Sequence, residues 1–147
     1  MNNSAGYTLA ELVVTIVLLG TLTAMAVPTY NKVINRAQKQ ANLSDMETIK
    51  NTFMQYHYVT HMNGNPHFPQ EPENSLLDST YREILLEDGR TPDQLFSGDL
   101  PYNSNENPYM YYWDNDTTES GYVTKRFVIK DTDADSPSLN EYVVGEI

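Results

Sequence analysis

Residues 12–31 form an unbroken run of 20 residues without a charged side chain, rich in Leu, Val, Ile, Ala and Met. At a helical rise of about 1.5 Å per residue such a run covers roughly 30 Å, the thickness of a bilayer's hydrocarbon core. It has to cross a membrane or be covered by other apolar surface, so it constrains everything that follows. It lies too near Met1 for an ordinary cleaved secretory signal, and residues 1–5 hold no Lys or Arg to open one.

Beyond Pro28 the pattern turns amphipathic. Met46, Ile49, Phe53, Tyr56 and Thr60 recur at a spacing of three to four, and Ala37 and Ala41 extend the stripe backwards. Lys39, Gln40, Asn42, Asp45, Glu47 and Lys50 take the other face. No helix breaker separates Pro28 from Gly64, so one helix of more than 50 residues is expected to join the two stretches. That length is itself characteristic of a membrane span or an extended shaft. Asn63-Gly64-Asn65-Pro66 should end it, Gly as a left-handed cap and Pro as a block.

The remainder reads as a small head. Pro66, Pro69 and Pro72 make an extended link, and a short helix is predicted over 79–86, closed by Asp88-Gly89. Strands are predicted at 109–113, 122–130 and 140–144, with turns at 114–121 and 131–138. This is a three-stranded antiparallel meander able to lay one apolar face on the amphipathic helix. The predicted class is α+β, a long N-terminal membrane or shaft helix packed against a small antiparallel sheet. Four regions follow: 1–6 as a short leader, 7–31 as the membrane segment, 32–62 as the amphipathic helix, and 63–147 as the head.

Charge is divided unevenly. The net charge is −11, yet residues 1–62 hold 4 basic and 3 acidic side chains while residues 63–147 hold 5 basic and 17 acidic. An acidic head repels phosphate backbones, so no nucleic-acid partner is expected, but it attracts cations. There is no cysteine, which removes disulfides and thiolate chemistry.

The segment Gly6-Tyr7-Thr8-Leu9-Ala10-Glu11 ahead of an apolar helix resembles the start of type IV prepilins and pseudopilins. In that family a membrane peptidase cuts after the Gly and methylates the new N-terminal residue. An acidic residue stands fifth in the mature chain and a Pro about twenty-second. Gly6, Tyr7, Glu11 and Pro28 occupy those positions here. The resemblance covers about residues 6–60 and implies a pilin-like fold and a homo-oligomeric helical filament. It also implies a prepilin peptidase, an inner-membrane platform protein and a cytoplasmic ATPase as partners, with membrane lipid around the helix before assembly. The location it implies is the bacterial inner membrane, then a periplasmic or extracellular filament.

The residues themselves agree. A carboxylate central in a bilayer costs about 3 kcal/mol or more, and no Lys or Arg lies within a helical turn of Glu11. Its partner should therefore come from elsewhere; in the family it is the N-terminal amine of a neighbouring subunit, which here would sit on Tyr7. The competing reading is a hydrated Glu11 at the membrane interface. Pro28 forfeits the hydrogen bond to the Ala24 carbonyl, and Gly20 weakens the helix upstream by about 1 kcal/mol. Residues 21–27 are thus a candidate for unwinding in the assembled filament, as resembles packed pilins; a simple kink is the alternative.

Other chemistry is sparser. Asp131-Thr132-Asp133-Ala134-Asp135 places alternating carboxylates as a calcium loop does, and major pseudopilins of type II secretion bind calcium in an acidic loop near the C-terminus. The EF-hand pattern fails, with Ser136 for its Gly and Tyr142 for its Glu, and a solvated acidic turn is favoured over a calcium site. His57 and His61 are spaced as zinc ligands on a helix, but without a Glu or Cys to complete a site a surface pair is favoured. The aromatics of Asn107-Pro108-Tyr109-Met110-Tyr111-Tyr112-Trp113 are expected in the core. Asn115-Asp116-Thr117 matches a glycosylation acceptor, a tripeptide frequent by chance. No phosphate loop, nucleophile elbow or triad spacing occurs, so no enzyme is read. The expected function is a filament subunit. Its alternatives are a major-type pseudopilin of a type II secretion system, a minor or priming pilin, and, from another class, a membrane-anchored binding domain.

Overall fold

The computed structural model of the chain describes residues 7–117 and 123–147. Helix α1 spans Leu9–Met62 and α2 Ser79–Glu83, a 3-10 turn covers Pro92–Leu95, and strands β1, β2 and β3 span Met110–Thr117, Val123–Lys130 and Tyr142–Glu146. The chain divides into two compact units between Ala37 and Gln38.

In the first unit α1 passes through Pro28 without ending. Its large apolar side chains stand exposed, Leu22 at 66 % and Met25 at 76 %, and the segment is long and apolar enough to cross a membrane. Threonines interrupt it without leaving bare hydroxyls. Thr15 donates to the Leu12 carbonyl at 2.8 Å, Thr21 to Leu18 at 2.9 Å, and Thr23 to Leu19 at 2.8 Å. In lipid, where water cannot satisfy them, such internal bonds keep the hydroxyls inexpensive.

In the second unit the predicted stripe of α1 packs on the sheet and is buried from Met46 to Thr60, whereas Ala37 and Ala41, expected to extend it backwards, are exposed and Asn42 is buried instead. Met46, Ile49 and Phe53 are fully buried against Tyr109, Tyr111, Phe127 and Ile129. Phe53 sits at the centre, its ring edge-on to Tyr111 at 4.9 Å, a geometry that suits aromatic quadrupoles, and tilted against Phe127 at 6.0 Å. The sheet has the order β1-β2-β3, antiparallel throughout, with Trp113 opposite Phe127 and Val128 opposite Val144. The meander is as predicted, although its boundaries shift. β1 runs on to Thr117, inside the predicted turn 114–121, the rest of which lies largely outside the described residues. β3 starts at Tyr142 because Asn140 takes φ 66° and bonds back to the Asp131 carbonyl, closing a loop first.

Two ends explain themselves locally. α1 stops where Gly64, at φ 86°, takes the left-handed conformation and donates to the His61 carbonyl at 3.0 Å. α2 is shorter than predicted. Asp78 caps its start by accepting from the Thr80 and Tyr81 amides, but Ile84 turns extended and ends it after Glu83.

Gly145 is required for packing. It lies opposite Phe127, and a Cβ there would overlap the fully buried Phe127 ring. Gly145→Val is expected to destabilise the head by about 2–3 kcal/mol, read as a lower thermal midpoint. Gly145→Val combined with Phe127→Leu should recover part of the loss.

Candidate functional site

Thr8 and Glu11 build the start of α1 together. The Glu11 carboxylate accepts from the Thr8 amide at 2.8 Å and from its hydroxyl at 2.9 Å, while the Glu11 amide donates to the Thr8 hydroxyl oxygen at 3.3 Å. This is a reciprocal capping box, which satisfies amides a helix start leaves orphaned. Glu11 therefore has a local partner that charge counting did not anticipate. Tyr7 precedes it, 87 % exposed. Gly6, the residue before the predicted cut, lies outside the described residues. Nothing approaches within 4 Å of a Cβ built on Gly20, and residues 21–27 are helical in the single chain.

At the other end of the chain the acidic loop folds around a buried carboxylate. Asp131 is fully buried, and Asn42 on α1 is fully buried beside its loop. The Ser104 amide donates to Asn42 Oδ1 at 2.8 Å, which fixes the Asn42 side chain so that its Nδ2 donates to Ser136 Oγ at 3.1 Å and Ser138 Oγ at 2.7 Å. With their oxygens so engaged, both hydroxyls donate to Asp131 Oδ2, at 2.5 and 2.6 Å. Asn103 is fixed the same way. Its Oδ1 accepts from the Asn105 and Asn107 amides, leaving Nδ2 to donate to Asp131 at 3.2 Å and Asp133 at 3.1 Å.

Asp133 also accepts from Asn105 Nδ2 at 2.7 Å. The side-chain amides of Asn105 and Asn107, the Asp135 backbone N–H and the Asn103 amide hold its carboxyl down at about 2. Asp135 is exposed. The donors turned towards Asp131 and Asp133 are N–H and O–H groups, whereas a hard cation takes a cage of oxygen lone pairs. Among the described residues no group of three or more His, Asp or Glu is gathered as a metal site. As folded, the 131–135 loop does not fit calcium.

A family model, the prokaryotic N-terminal methylation motif, matches residues 1–27. The chain carries the type IV pilin/pseudopilin signature. That signature, with the long apolar helix behind it, fits membrane insertion and implies processing by a prepilin peptidase and filament assembly. Among curated proteins and solved structures nothing matches.

Two residues lie elsewhere than the sequence predicts, His57 and Asn42, and Thr8 takes a role that was not predicted. His57 is not a surface residue: it is 5 % exposed and packs its ring 4.8 Å from Phe68, because the Pro66–Pro69 link folds back over the end of α1. His61 stays exposed. Thr8 was legible as the Thr-x-x-Glu signature of a capping box. Asn42 was read as solvent-facing; one polar residue on the buried stripe carries no local signal that three serines wait opposite it.

Proposed function

We propose that the chain is a structural subunit of a type IV pilus-like filament, held in the membrane before assembly and polymerised through its N-terminal helix. The observation that carries this reading is Glu11. It is the single charge in residues 7–31, the apolar part of α1, already bonded to the amide next to Tyr7. Cleavage after Gly6 would make the Tyr7 nitrogen a cation, and one carboxylate per chain could then pair with one amine of a neighbour. Lipid would surround the helix first and other copies later, with the platform protein and ATPase of such systems as further partners. Within this class, the absence of cysteine leans slightly towards a secretion pseudopilin over a pilin with a terminal disulfide.

Two measurements test the proposal. Protein recovered from filaments should begin at Tyr7 and carry a methyl group on its amine, as read by mass spectrometry; Met1 retained on assembled material contradicts it. Gly6→Leu should leave an uncut precursor in the membrane. Electron microscopy of sheared material separates a filament from a membrane-anchored binding domain, which would yield none.

A further inference from the structure

In a head with 17 acidic and 5 basic residues, one pocket is lined by the opposite charge. It lies where the end of α1, the extended link and strands β1 and β2 meet, with a volume of about 130 Å³. His57, Pro66, Phe68 and Trp113 supply flat apolar walls, and His67 and Lys125 add nitrogen. Three observations mark it as built to receive something. His57 lines the pocket although it is buried, and its Nδ1, which solvent does not reach, has no hydrogen-bond partner among the described residues. Trp113 is 45 % exposed although its indole N–H is already engaged with the Tyr111 hydroxyl at 2.8 Å, which leaves it to offer surface. Lys125 and Lys130 form no ion pair among the described residues, whereas Arg82, Arg90 and Arg126 each hold an aspartate; of the two lysines Lys125 lines this pocket, beside Arg126.

We propose that this pocket binds a carboxylate carried on a flat apolar body, the carboxylate on Lys125 beside His57 and the body against Phe68 and Trp113. Charge complementarity selects the carboxylate, because a cation would meet Lys125 and an uncharged ring would leave it unused. The size of the pocket suits a single ring or one acidic side chain. Burial, then the positive charge of His61 on α1, His67 on the link and Lys125 on β2, lowers the His57 pKa; Glu87 faces His67 at 3.4 Å and offsets part of this. A bound carboxylate reverses the balance, so occupancy should raise the His57 pKa and weaken as pH rises through it. The same chemistry has two sources, a free small aromatic acid or an acidic side chain of another copy presented beside an aromatic one.

The test uses the full chain in detergent micelles with ¹⁵N-labelled histidine, titrated with benzoate, acetate and benzyl alcohol. Benzoate should move the His57 ring nitrogens saturably, with half-saturation at roughly 1–5 mM, a modest affinity befitting so small a ligand. Acetate and benzyl alcohol, each lacking one half of the ligand, should need about tenfold more. Lys125→Gln, an exposed substitution that spares the fold, should weaken benzoate about tenfold. No saturation by about 50 mM benzoate (above any affinity of use), equal responses to benzyl alcohol, or an unchanged Lys125→Gln variant would overturn the proposal. Repeating the titration on sheared filaments separates the sources: benzoate excluded means a neighbour's acidic side chain fills the pocket, and benzoate still bound means a free acid does. The pocket uses no residue of the N-terminal helix start, so its failure leaves the filament reading intact.

Discussion

Glu11→Ala and Glu11→Gln should both abolish filaments while leaving cleavage after Gly6 and membrane insertion unchanged. The pair separates two roles that Glu11 holds at once. In the single chain its carboxylate closes a capping box with Thr8, and Gln closes such a box as well as Glu does. Glu11→Gln thus keeps the helix start and removes only the charge. If the proposed contact is Glu11 with a neighbour's Tyr7 amine, either variant leaves that amine unpaired in an apolar interior. Breaking a buried pair on one side costs about 3–5 kcal/mol, which is roughly 100-fold or more in the equilibrium for each subunit added. Counting filaments by electron microscopy, beside immunoblots for processed protein in the membrane, gives the answer. Normal filaments from Glu11→Gln would show that the charge does not matter, and their loss in Glu11→Ala alone would assign the effect to the cap. Thr8→Val provides the converse control: it loses the hydroxyl of the box, at about 1 kcal/mol, and should thin filament yield rather than eliminate it.

The capping box also gives assembly a simple path. An uncompensated carboxylate in lipid would be expelled or protonated, but one already accepting two hydrogen bonds can wait there. Exchange of those bonds for a neighbour's ammonium replaces neutral donors with a charged one, and charge-assisted bonds are the stronger. If the proposed pairing holds, the driving force on Glu11 increases on assembly without the residue ever being bare.

How much of this was legible depended on whether the determinant was local. The length of α1, its end at Gly64 and the order of the three strands follow from periodicity and turn residues. So does the stripe from Met46 to Thr60, because burial of an amphipathic face is written in its own spacing. Of the aromatics expected in the core, Tyr109 and Tyr111 are fully buried, whereas Tyr112 is half-buried and Trp113, in phase with the buried pair, stands half out. What the sequence did not disclose were matches between distant segments. His57 is buried by a link that returns over it, and Asn42 is held by residues 62, 94 and 96 positions away. An alternating run of aspartates looks the same whether cations or amides will face it, and only the fold decides.

Asp131→Ala should be among the most damaging substitutions in the head. It removes the acceptor for Ser136 Oγ, Ser138 Oγ, Asn103 Nδ2 and the Asp133 amide at once. Those donors cannot simply turn elsewhere, because Asn42 and Asn103 are fixed by the backbone amides of Ser104, Asn105 and Asn107. Buried donors left without acceptors cost about 1–3 kcal/mol each before relaxation, so a net loss of about 3–4 kcal/mol is expected. For a unit of this size that lowers the thermal midpoint by roughly 10–15 °C, measurable by near-UV circular dichroism of the full chain in detergent. Asp135→Ala, at an exposed position, should change it little. The same instrument addresses calcium. Because amides and hydroxyls already fill the carboxylate lone pairs, adding calcium or a chelator is expected to leave the midpoint where it was. A bound ion at several hundred times its dissociation constant would instead raise it by the equivalent of about 3–4 kcal/mol. A rise of that size, absent from Asp133→Ala, would show that the loop rearranges to take a cation, and that the amide network is the metal-free state of a calcium site rather than its replacement.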